Sequence, residues 1–335
     1  MDINIQDLSK ENMTDTKEQK LIAGLTSSPK YIPAWYKYDS LGSELELDCR
    51  DTAKNNDYYL YRCMTSCLKS NIQDIVPNKE TPYKLIDLGS GNCSKTRYVI
   101  DQLLKAQTQL SFYPLDISKE FLMRTVDILH HEYGRQLVIH PTAENYVNGI
   151  EKFRQLEGPK LILWFNAILN LTYHDQVETL RLISDIMTDD CHLIFSTDIT
   201  QDQHSILKAY NDKNGLHKKL FLNTITRLNR EYGSEVNPDL FRYVMDFVSD
   251  PNSDMSYVRA YIQATQHVTF PIPGLGLRLE MERDERLYLH ESGTGVSCKY
   301  TMDQIRTLTN RAGLKLANSW TDDQNHAVIC RCEKM

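Results

Sequence analysis

Short apolar strands and amphipathic helices alternate at a regular pace through the middle of the chain, and this alternation constrains the fold more than any other feature. The continuous apolar run at residues 161–165 is typical of a strand that a parallel sheet buries on both faces. The pattern predicts an α/β fold with a doubly wound sheet and a ligand at the carboxyl ends of its strands. The predicted strands are residues 83–88, 111–116, 136–140, 161–165 and 192–198, and the predicted helices between them are residues 95–105, 120–133, 146–156 and 175–187.

The alternating pattern stops after residue 198 and resumes at Tyr300. We expect one domain from residues 61–198 and 298–335, and a second domain from residues 1–60 and 199–297. The predicted elements of this second half are helices at 203–214, 219–232 and 302–312 and strands within 257–269, 277–290, 314–320 and 327–332.

Composition excludes several classes of function. The chain has 335 residues, 41% hydrophobic and 25% charged, which is enough to bury the cores of two packed lobes. A net charge of −7 without a long basic run argues against a nucleic-acid partner, and the short cluster His217-Lys218-Lys219 is expected on a solvated helix face. No segment approaches the ~18 apolar residues of a membrane span, and the polar start 1–7 has no signal-peptide core. The eight cysteines form no CxxC pair. We therefore expect a cytosolic monomer without a disulfide framework or a metal site.

A glycine-rich turn, Leu88-Gly89-Ser90-Gly91-Asn92, follows the first predicted strand. Its glycines allow the backbone to approach a ligand closely, and the next helix presents its N-terminus. A dinucleotide motif would place a third glycine near Ser94, so its absence argues against NAD. Asp116 ends the second strand, where it can accept hydrogen bonds from a ribose diol. Glu144 and Asn145 follow the third strand, where they either meet an adenine ring or cap the next helix. Together with the final antiparallel strand pair, these features favour S-adenosylmethionine (SAM) as the cofactor.

Eight motifs, spread over nearly the whole chain, carry a more specific resemblance. In this order they resemble the histidine-specific N-alpha-methyltransferases of ergothioneine biosynthesis and their fungal relatives that act on tryptophan derivatives. The resemblance implies a Rossmann-like class I SAM-dependent methyltransferase fold with a second, α+β substrate-binding domain, and S-adenosylhomocysteine (SAH) as a product. The motifs are Tyr38-Asp39-Ser40-Leu41-Gly42-Ser43-Glu44-Leu45, Leu88-Gly89-Ser90-Gly91-Asn92-Cys93-Ser94-Lys95-Thr96-Arg97, Pro114-Leu115-Asp116-Ile117-Ser118, Ser196-Thr197-Asp198, Lys208-Ala209-Tyr210-Asn211-Asp212, Leu228-Asn229-Arg230-Glu231, Val296-Ser297-Cys298-Lys299-Tyr300 and Trp320-Thr321-Asp322.

The resemblance also implies roles for particular residues. The SAM contacts of the family fall on Gly89, Lys95, Asp116, Glu144 and Asn145, with Glu144 where the family usually has aspartate. Such a change keeps a hydrogen-bond acceptor for an adenine amine.

The contacts to the amino-acid substrate fall on Tyr58, Asn170 and Tyr210, which are also the predicted catalytic residues. Asn170 and Tyr210 would hold the carboxylate and amino group of the substrate, and Tyr58 would lie near the reacting amine. The loop before Asn170, residues 164–169, is bulkier than the small residues usual in the family. This difference could reshape the floor of the substrate pocket.

The substrate side chain is predicted to meet Val258, Gly295 and Ser297. In the histidine-specific branch an acid stands at the position of Gly295 and a methionine at the position of Val258. Loss of the acid removes a charge-assisted hydrogen bond of roughly 1.5–3 kcal/mol to a polar ring, and both changes open space. An indole-sized substrate, L-tryptophan or a derivative, is therefore the first hypothesis, and L-histidine is the alternative. Ser297 could hydrogen-bond a ring N–H in either case.

The predicted reaction is an in-line displacement at a sulfonium methyl group, which can be iterative. The protein then contributes alignment of a neutral amine and exclusion of water. No residue is an obvious strong base, so we expect Tyr58 to orient the amine. His130, His131 and His140 are expected at the surface or behind the site. The alternative from another class is a SAM-binding protein without catalysis.

Overall fold

A computed structural model describes residues 16–51, 53–249, 253–291 and 295–335. The polar start at 1–7 lies outside these residues. The helices are α1 (Lys17–Thr26), α2 (Ser40–Arg50), α3 (Tyr59–Ile75), α4 (Thr96–Leu103), α5 (Lys119–Tyr133), α6 (Tyr146–Phe153), α7 (Tyr173–Asp185), α8 (Gln203–Tyr210), α9 (Leu216–Tyr232) and α10 (Met302–Arg311). The strands are β1 (Lys30–Tyr31), β2 (Lys84–Leu88), β3 (Leu110–Asp116), β4 (Leu137–Ile139), β5 (Thr142–Ala143), β6 (Lys160–Phe165), β7 (His192–Asp198), β8 (Phe241–Val248), β9 (Ser256–Ala264), β10 (Val268–Ile272), β11 (Leu277–Met281), β12 (Arg286–Tyr288), β13 (Ser297–Lys299), β14 (Leu314–Thr321) and β15 (Ala327–Lys334).

The larger sheet has the strand order β14-β15-β7-β6-β2-β3-β4, with β5 paired to β3. Its strands are parallel except β15, which lies antiparallel to both β7 and β14. The predicted α/β fold with a closing antiparallel pair is therefore confirmed, and it is the Rossmann-like class I methyltransferase architecture. From β2 the chain continues to β3 and β4 on one side of the sheet, and from β6 it continues to β7 on the other side. This reversal opens a crevice at their carboxyl ends, where such folds bind ligands.

A second sheet contains β1, β12, β9 and β13 in this order, with β8 on the free side of β9. β1 comes from the N-terminal part of the chain and pairs in parallel with β12. Helix α2 also packs on α9, where Leu45 and Cys49 meet Leu216 and Leu220. The N-terminal part thus lies against the insertion, while the assignment of the two domains to cofactor and substrate stays a prediction.

Some local predictions were wrong. Helix α8 ends at Tyr210 rather than at residue 214, because the Asp212 carboxylate accepts the backbone N–H groups of Leu216 and His217 and turns the chain into α9. Gly215, at φ 62°, is the N-cap of α9. Helix α3 and strand β8 were not anticipated, since β8 buries only Phe241 and Met245 and has no clear alternation.

The eight cysteines are all buried and free. Within the described part of the chain, none of the helices is long and apolar enough to cross a membrane.

Candidate active site

The glycine turn after β2 brings the backbone close to the next strand. Gly89 and Gly91 have φ angles of 69° and 53°, in the region that favours glycine. The backbone N–H of Gly89 donates to the Leu115 carbonyl at 2.8 Å. A Cβ atom on Gly89 would lie 2.8 Å from the Tyr146 hydroxyl, so only glycine fits this position without movement.

Asp116 lies directly beside this turn. Its carboxylate accepts the N–H groups of Gly91 and Ser118, each at 3.0 Å. Burial raises the pKa of Asp116, while these backbone hydrogen bonds oppose the rise. The end of β3 therefore presents a fixed acceptor to the crevice.

A cleft of ≈ 260 Å³ runs along the carboxyl ends of the strands, just below the range of roughly 300–1,000 Å³ usual for ligand pockets. Four of the predicted cofactor residues, Gly89, Asp116, Glu144 and Asn145, line it together. The Asn145 side chain accepts the N–H of Asn148 and caps α6, and Glu144 pairs with Lys152 at 2.8 Å. The capping alternative thus holds for Asn145, although the residue still lines the cleft.

Lys95 does not lie on the wall of this cleft. It is buried, and its ammonium lies 4.8 Å from the centre of the Tyr61 ring. Burial and then the neighbouring Arg50 guanidinium lower its pKa to about 7. Among the described residues, no carboxylate lies within ion-pair distance of it. Lys95 is therefore a buried amine whose nearest acids, Asp87 and Glu46, only partly offset the effect of burial on its pKa.

A second, smaller cavity adjoins the cleft. It is lined by Tyr58, Asn170, Tyr210 and Ser297, which the sequence predicted as substrate residues. The Tyr58 and Tyr210 rings meet edge to face with centres 5.7 Å apart. Residues that line both cavities are Tyr38, Glu46, Arg50 and Asn170.

A fully buried ion pair lies behind this cavity. Lys299 donates to the Ser297 hydroxyl at 2.8 Å and to the Tyr210 hydroxyl at 3.2 Å, and its ammonium lies 3.1 Å from the Asp198 carboxylate. Asp198 also accepts the Tyr59 hydroxyl at 2.8 Å. An ammonium group only donates, so Ser297 and Tyr210 accept from Lys299 and keep their own hydrogens for other partners.

His217 was predicted on a solvated helix face, and this prediction was wrong. Its side chain is 4% exposed, lines the smaller cavity and lies 3.1 Å from the Asp212 carboxylate. The exposed residues of its cluster are Lys218 and Lys219. The sequence feature that could have indicated burial of His217 is the turn before α9, because it places the first residues of that helix against the core. His130, His131 and His140 are exposed, as expected.

The sequence also matches a family model described as histidine-specific methyltransferase, SAM-dependent, over residues 17–334. This match covers nearly the whole chain and agrees with the sheet order. The chain belongs to this family. It is a SAM-dependent N-methyltransferase, which confirms the predicted enzyme class and cofactor and sets aside the non-catalytic alternative.

The family relatives carry names from both substrate branches. A histidine N-alpha-methyltransferase of Mycolicibacterium smegmatis is 25% identical over 316 residues, 94% of each chain. The N-methyltransferase imqF of Aspergillus flavus is 24% identical over 96% of this chain and 85% of its own. The 4-dimethylallyltryptophan N-methyltransferase easF of Claviceps purpurea is 26% identical over 47% of this chain and 46% of its own. Among solved structures, magnesium protoporphyrin IX methyltransferase (ChlM) from Synechocystis PCC 6803, with bound SAH, is 10% identical at a TM-score of 0.46, covering 90% of this chain and 97% of its own.

The resemblance aligns Val258 with a family methionine on the strand opposite the Ser297 motif. The strand register agrees with this placement. Ser297 pairs with Val258 between β13 and β9. The expected extra space is not seen, however, because a Cβ on Gly295 would lie 2.3 Å from the Val258 carbonyl and 2.7 Å from the Tyr257 ring. Neither Gly295 nor Val258 is among the described residues that line the two cavities.

Sequence reasoning missed several charged residues of the site. Arg50 and Glu46 lie one turn apart on α2 and form an ion pair at 2.7 Å between the two cavities. Glu291 lines the cleft, and its carboxylate accepts the N–H of Ala34 at 3.2 Å. Burial raises the pKa of Glu291. Glu291 lies far from α2 in the sequence, so no local motif connects it with Glu46 and Arg50.

Proposed function

We propose that this enzyme transfers a methyl group from SAM to the α-amino group of an aromatic L-amino acid, with L-histidine as the preferred substrate. The observation that carries the proposal is the gathering of Tyr58, Asn170, Tyr210 and Ser297 around one cavity that shares a wall with the cofactor cleft. A small amino acid bound there would have its amine next to the cofactor.

The residues around the cleft fit SAM, which supplies an electrophilic methyl group on a sulfonium. The Asp116 carboxylate suits a ribose diol, because its two oxygens together offer about four acceptor positions and the backbone N–H groups beside them do not fill all of these. Lys95, a buried amine whose protonated form a nearby anion would stabilise, suits the carboxylate of the cofactor. The Gly89 turn permits close approach of a ligand, and Glu144 and Asn145 would flank the adenine end of the cofactor.

The smaller cavity fits the backbone of an amino acid. The hydroxyl of Tyr210 accepts from Lys299, so its hydrogen is available for a substrate carboxylate. Asn170 offers amide donors on the same wall. Tyr58 lies against Tyr210 and would orient the amine. Burial keeps both phenols protonated, since it raises their pKa.

Two observations favour histidine over tryptophan. The relative that matches 94% of this chain is named for histidine, whereas easF matches 47%. The Glu291 carboxylate lines the cleft, which shares Asn170 with the smaller cavity, so a polar ring that extends from that cavity into the cleft would meet an acid although position 295 has none. Tryptophan is the second candidate, and the glycine at position 295 favours it.

The deciding experiment incubates the protein with SAM and either L-histidine or L-tryptophan. Mass spectrometry then detects additions in steps of one methyl group, which also counts the methyls transferred. Calorimetry in the presence of SAH measures the affinity for each amino acid. We expect preferential methylation and tighter binding of histidine. Methylation of tryptophan alone would make tryptophan the substrate in place of histidine.

The variant Glu291→Gln tests the acid in the cleft. It should weaken histidine binding by roughly 10-fold or more, which corresponds to loss of one charge-assisted hydrogen bond. Glu235→Gln, an exposed substitution away from both cavities, is the matched control. An unchanged histidine affinity in Glu291→Gln would remove Glu291 from the proposed site.

A further inference from the structure

A buried histidine and a buried aspartate adjoin the proposed amine site. The centre of the His217 ring lies 5.0 Å from the centres of both the Tyr58 and the Tyr210 rings. Its Nδ1 atom lies 3.1 Å from the Asp212 carboxylate, and both side chains are at most 4% exposed. His217 thus lies between the two tyrosines and an acid that faces away from the cavity.

Asp212 is held rigidly as an ionised acceptor. Its carboxylate accepts the N–H groups of Asn214, Leu216 and His217 at the start of α9. Burial would raise its pKa, but the hydrogen bonds from His217 and the backbone outweigh burial and lower the pKa of Asp212 to about 2. A carboxylate at Nδ1 retains the proton on that nitrogen, so Nε2 of the neutral ring is the free base.

The reaction needs such a base. An α-amino group is largely protonated near neutral pH, and it attacks a methyl group only after one proton leaves. Buried sites also exclude the bulk water that would otherwise take the proton. The acceptor must therefore be a side chain or an ordered water at the cavity.

The other ionisable groups around His217 are poorer acceptors. Glu46 is paired with Arg50, and although burial raises its pKa, Arg50 and Lys37 lower it overall, which makes a weak base. Tyr58 and Tyr210 remain protonated. Lys37 donates to the Ala34 carbonyl at 2.9 Å.

We propose that His217, oriented by Asp212, accepts the proton of the substrate ammonium directly or through the Tyr58 hydroxyl. This inference rests on the proposed function. The proton moves from the amine to Nε2, and the imidazolium is stabilised by Asp212. The freed lone pair of the amine forms the new N–C bond as the S–C bond breaks, with the bonding pair left on sulfur. The imidazolium later returns its proton to solvent.

The test uses the full chain with His217→Gln and Asp212→Asn. Glutamine cannot accept the proton, so kcat should fall by roughly 10²-fold or more near pH 7. The variant's rate should rise as the pH approaches the pKa of the substrate amine and should converge on the wild-type rate above it. Calorimetry with SAH should give an amino-acid affinity within about threefold of wild type. A merely structural role would instead lower binding and rate together at every pH.

His192→Gln, a partly buried histidine at the start of β7, is the matched control and should keep the wild-type pH profile. If the pair acts together, the kcat of Asp212→Asn should fall as the kcat of His217→Gln does. A wild type that methylates its amino acid and a His217→Gln variant within twofold of it at pH 7 would overturn this inference alone. A wild type that methylates neither histidine nor tryptophan would overturn the proposed function and this inference with it.

Discussion

At the scale of single residues, burial decides which groups of the cofactor cleft are charged. Asp87 lies under the glycine turn, where burial raises its pKa to about 7 despite the hydroxyl that Thr96 donates. Burial lowers the pKa of Lys95 to about the same value. Asp87 and Lys95, on either side of the glycine turn, are thus both only partly charged near pH 7.

Asp87 should make the stability of the ligand-free protein depend on pH. Between its ordinary pKa of 3.8 and about 7, the folded chain keeps a proton that the unfolded chain has lost, so this contribution weakens as the pH rises through that window. Asp87→Asn should therefore raise the free energy of unfolding at pH 8 by about 2–4 kcal/mol and by less at pH 5. Urea denaturation at both pH values measures this, with the exposed Asp323→Asn as control. Equal gains at pH 5 and pH 8 would contradict the assignment.

Gly89 should be required for cofactor binding. An alanine there would combine a strained φ of 69° with a contact of 2.8 Å to the Tyr146 hydroxyl. Gly89→Ala should weaken SAH binding by roughly 10-fold or more, since the strain alone costs about 1–2 kcal/mol. Gly134→Ala has a similar φ of 54° and open space around it, so it should keep the wild-type SAH affinity in calorimetry. Equal losses of SAH affinity in the two variants would show that the loss comes from backbone strain in general and not from the position of Gly89 in the cofactor turn.

At the scale of elements, one buried ion pair connects the two sheets. Lys299 ends β13 of the smaller sheet, and Asp198 ends β7 of the larger sheet. Tyr59 at the start of α3 donates to the same carboxylate. The position of β13, and with it Ser297, therefore depends on a contact between elements that are remote in sequence.

Removal of one partner of this pair should destabilise the fold strongly. Lys299→Met leaves an uncompensated buried carboxylate, for which a loss of about 3–5 kcal/mol is expected. The double variant Lys299→Met/Asp198→Asn replaces the pair by neutral groups and should recover most of that loss. Chemical denaturation of the single and double variants measures the coupling, with Lys160→Met, a buried lysine on β6, as control. If the losses in free energy of unfolding from the two single substitutions simply add in the double variant, the ion pair is not what connects the two sheets.

At the scale of the whole molecule, the two cavities share part of their walls. Asn170, Arg50, Glu46 and Tyr38 form walls of both. Occupation of the cleft therefore completes one side of the smaller cavity. The two ligands should bind in a coupled manner.

Thermal denaturation tests this coupling. SAH at 100 times its Kd should add about 2.7 kcal/mol to the free energy of unfolding and raise Tm. The amino-acid substrate should raise Tm further when SAH is present than when it is absent, because SAH forms part of its binding surface. D-histidine, which has the same composition but the opposite chirality, is the control ligand. An equal shift from L-histidine with and without SAH would contradict coupling.

The fold and the cofactor turn were predictable because they depend on local rules. Alternating hydrophobic periods determine strands and helices, and a turn such as Gly89-Gly91 depends on positive φ angles that glycine adopts readily. The strand predicted at 192–198 is β7 as observed. Four of the predicted substrate residues line the smaller cavity, and they were named through family motifs and not through periodicity.

The sequence by itself thus determined the order of strands and helices in the α/β core, the cofactor turn and the family. Only the tertiary structure decided that His217 lies in the cavity beside Tyr58, that Glu291 lines the cleft, and that the space beside Gly295 is filled by the Val258 backbone. The physical reason is that patterning and backbone strain act over a few residues. Burial and charge pairing depend on which distant segments meet, and that is settled only when the two sheets pack together.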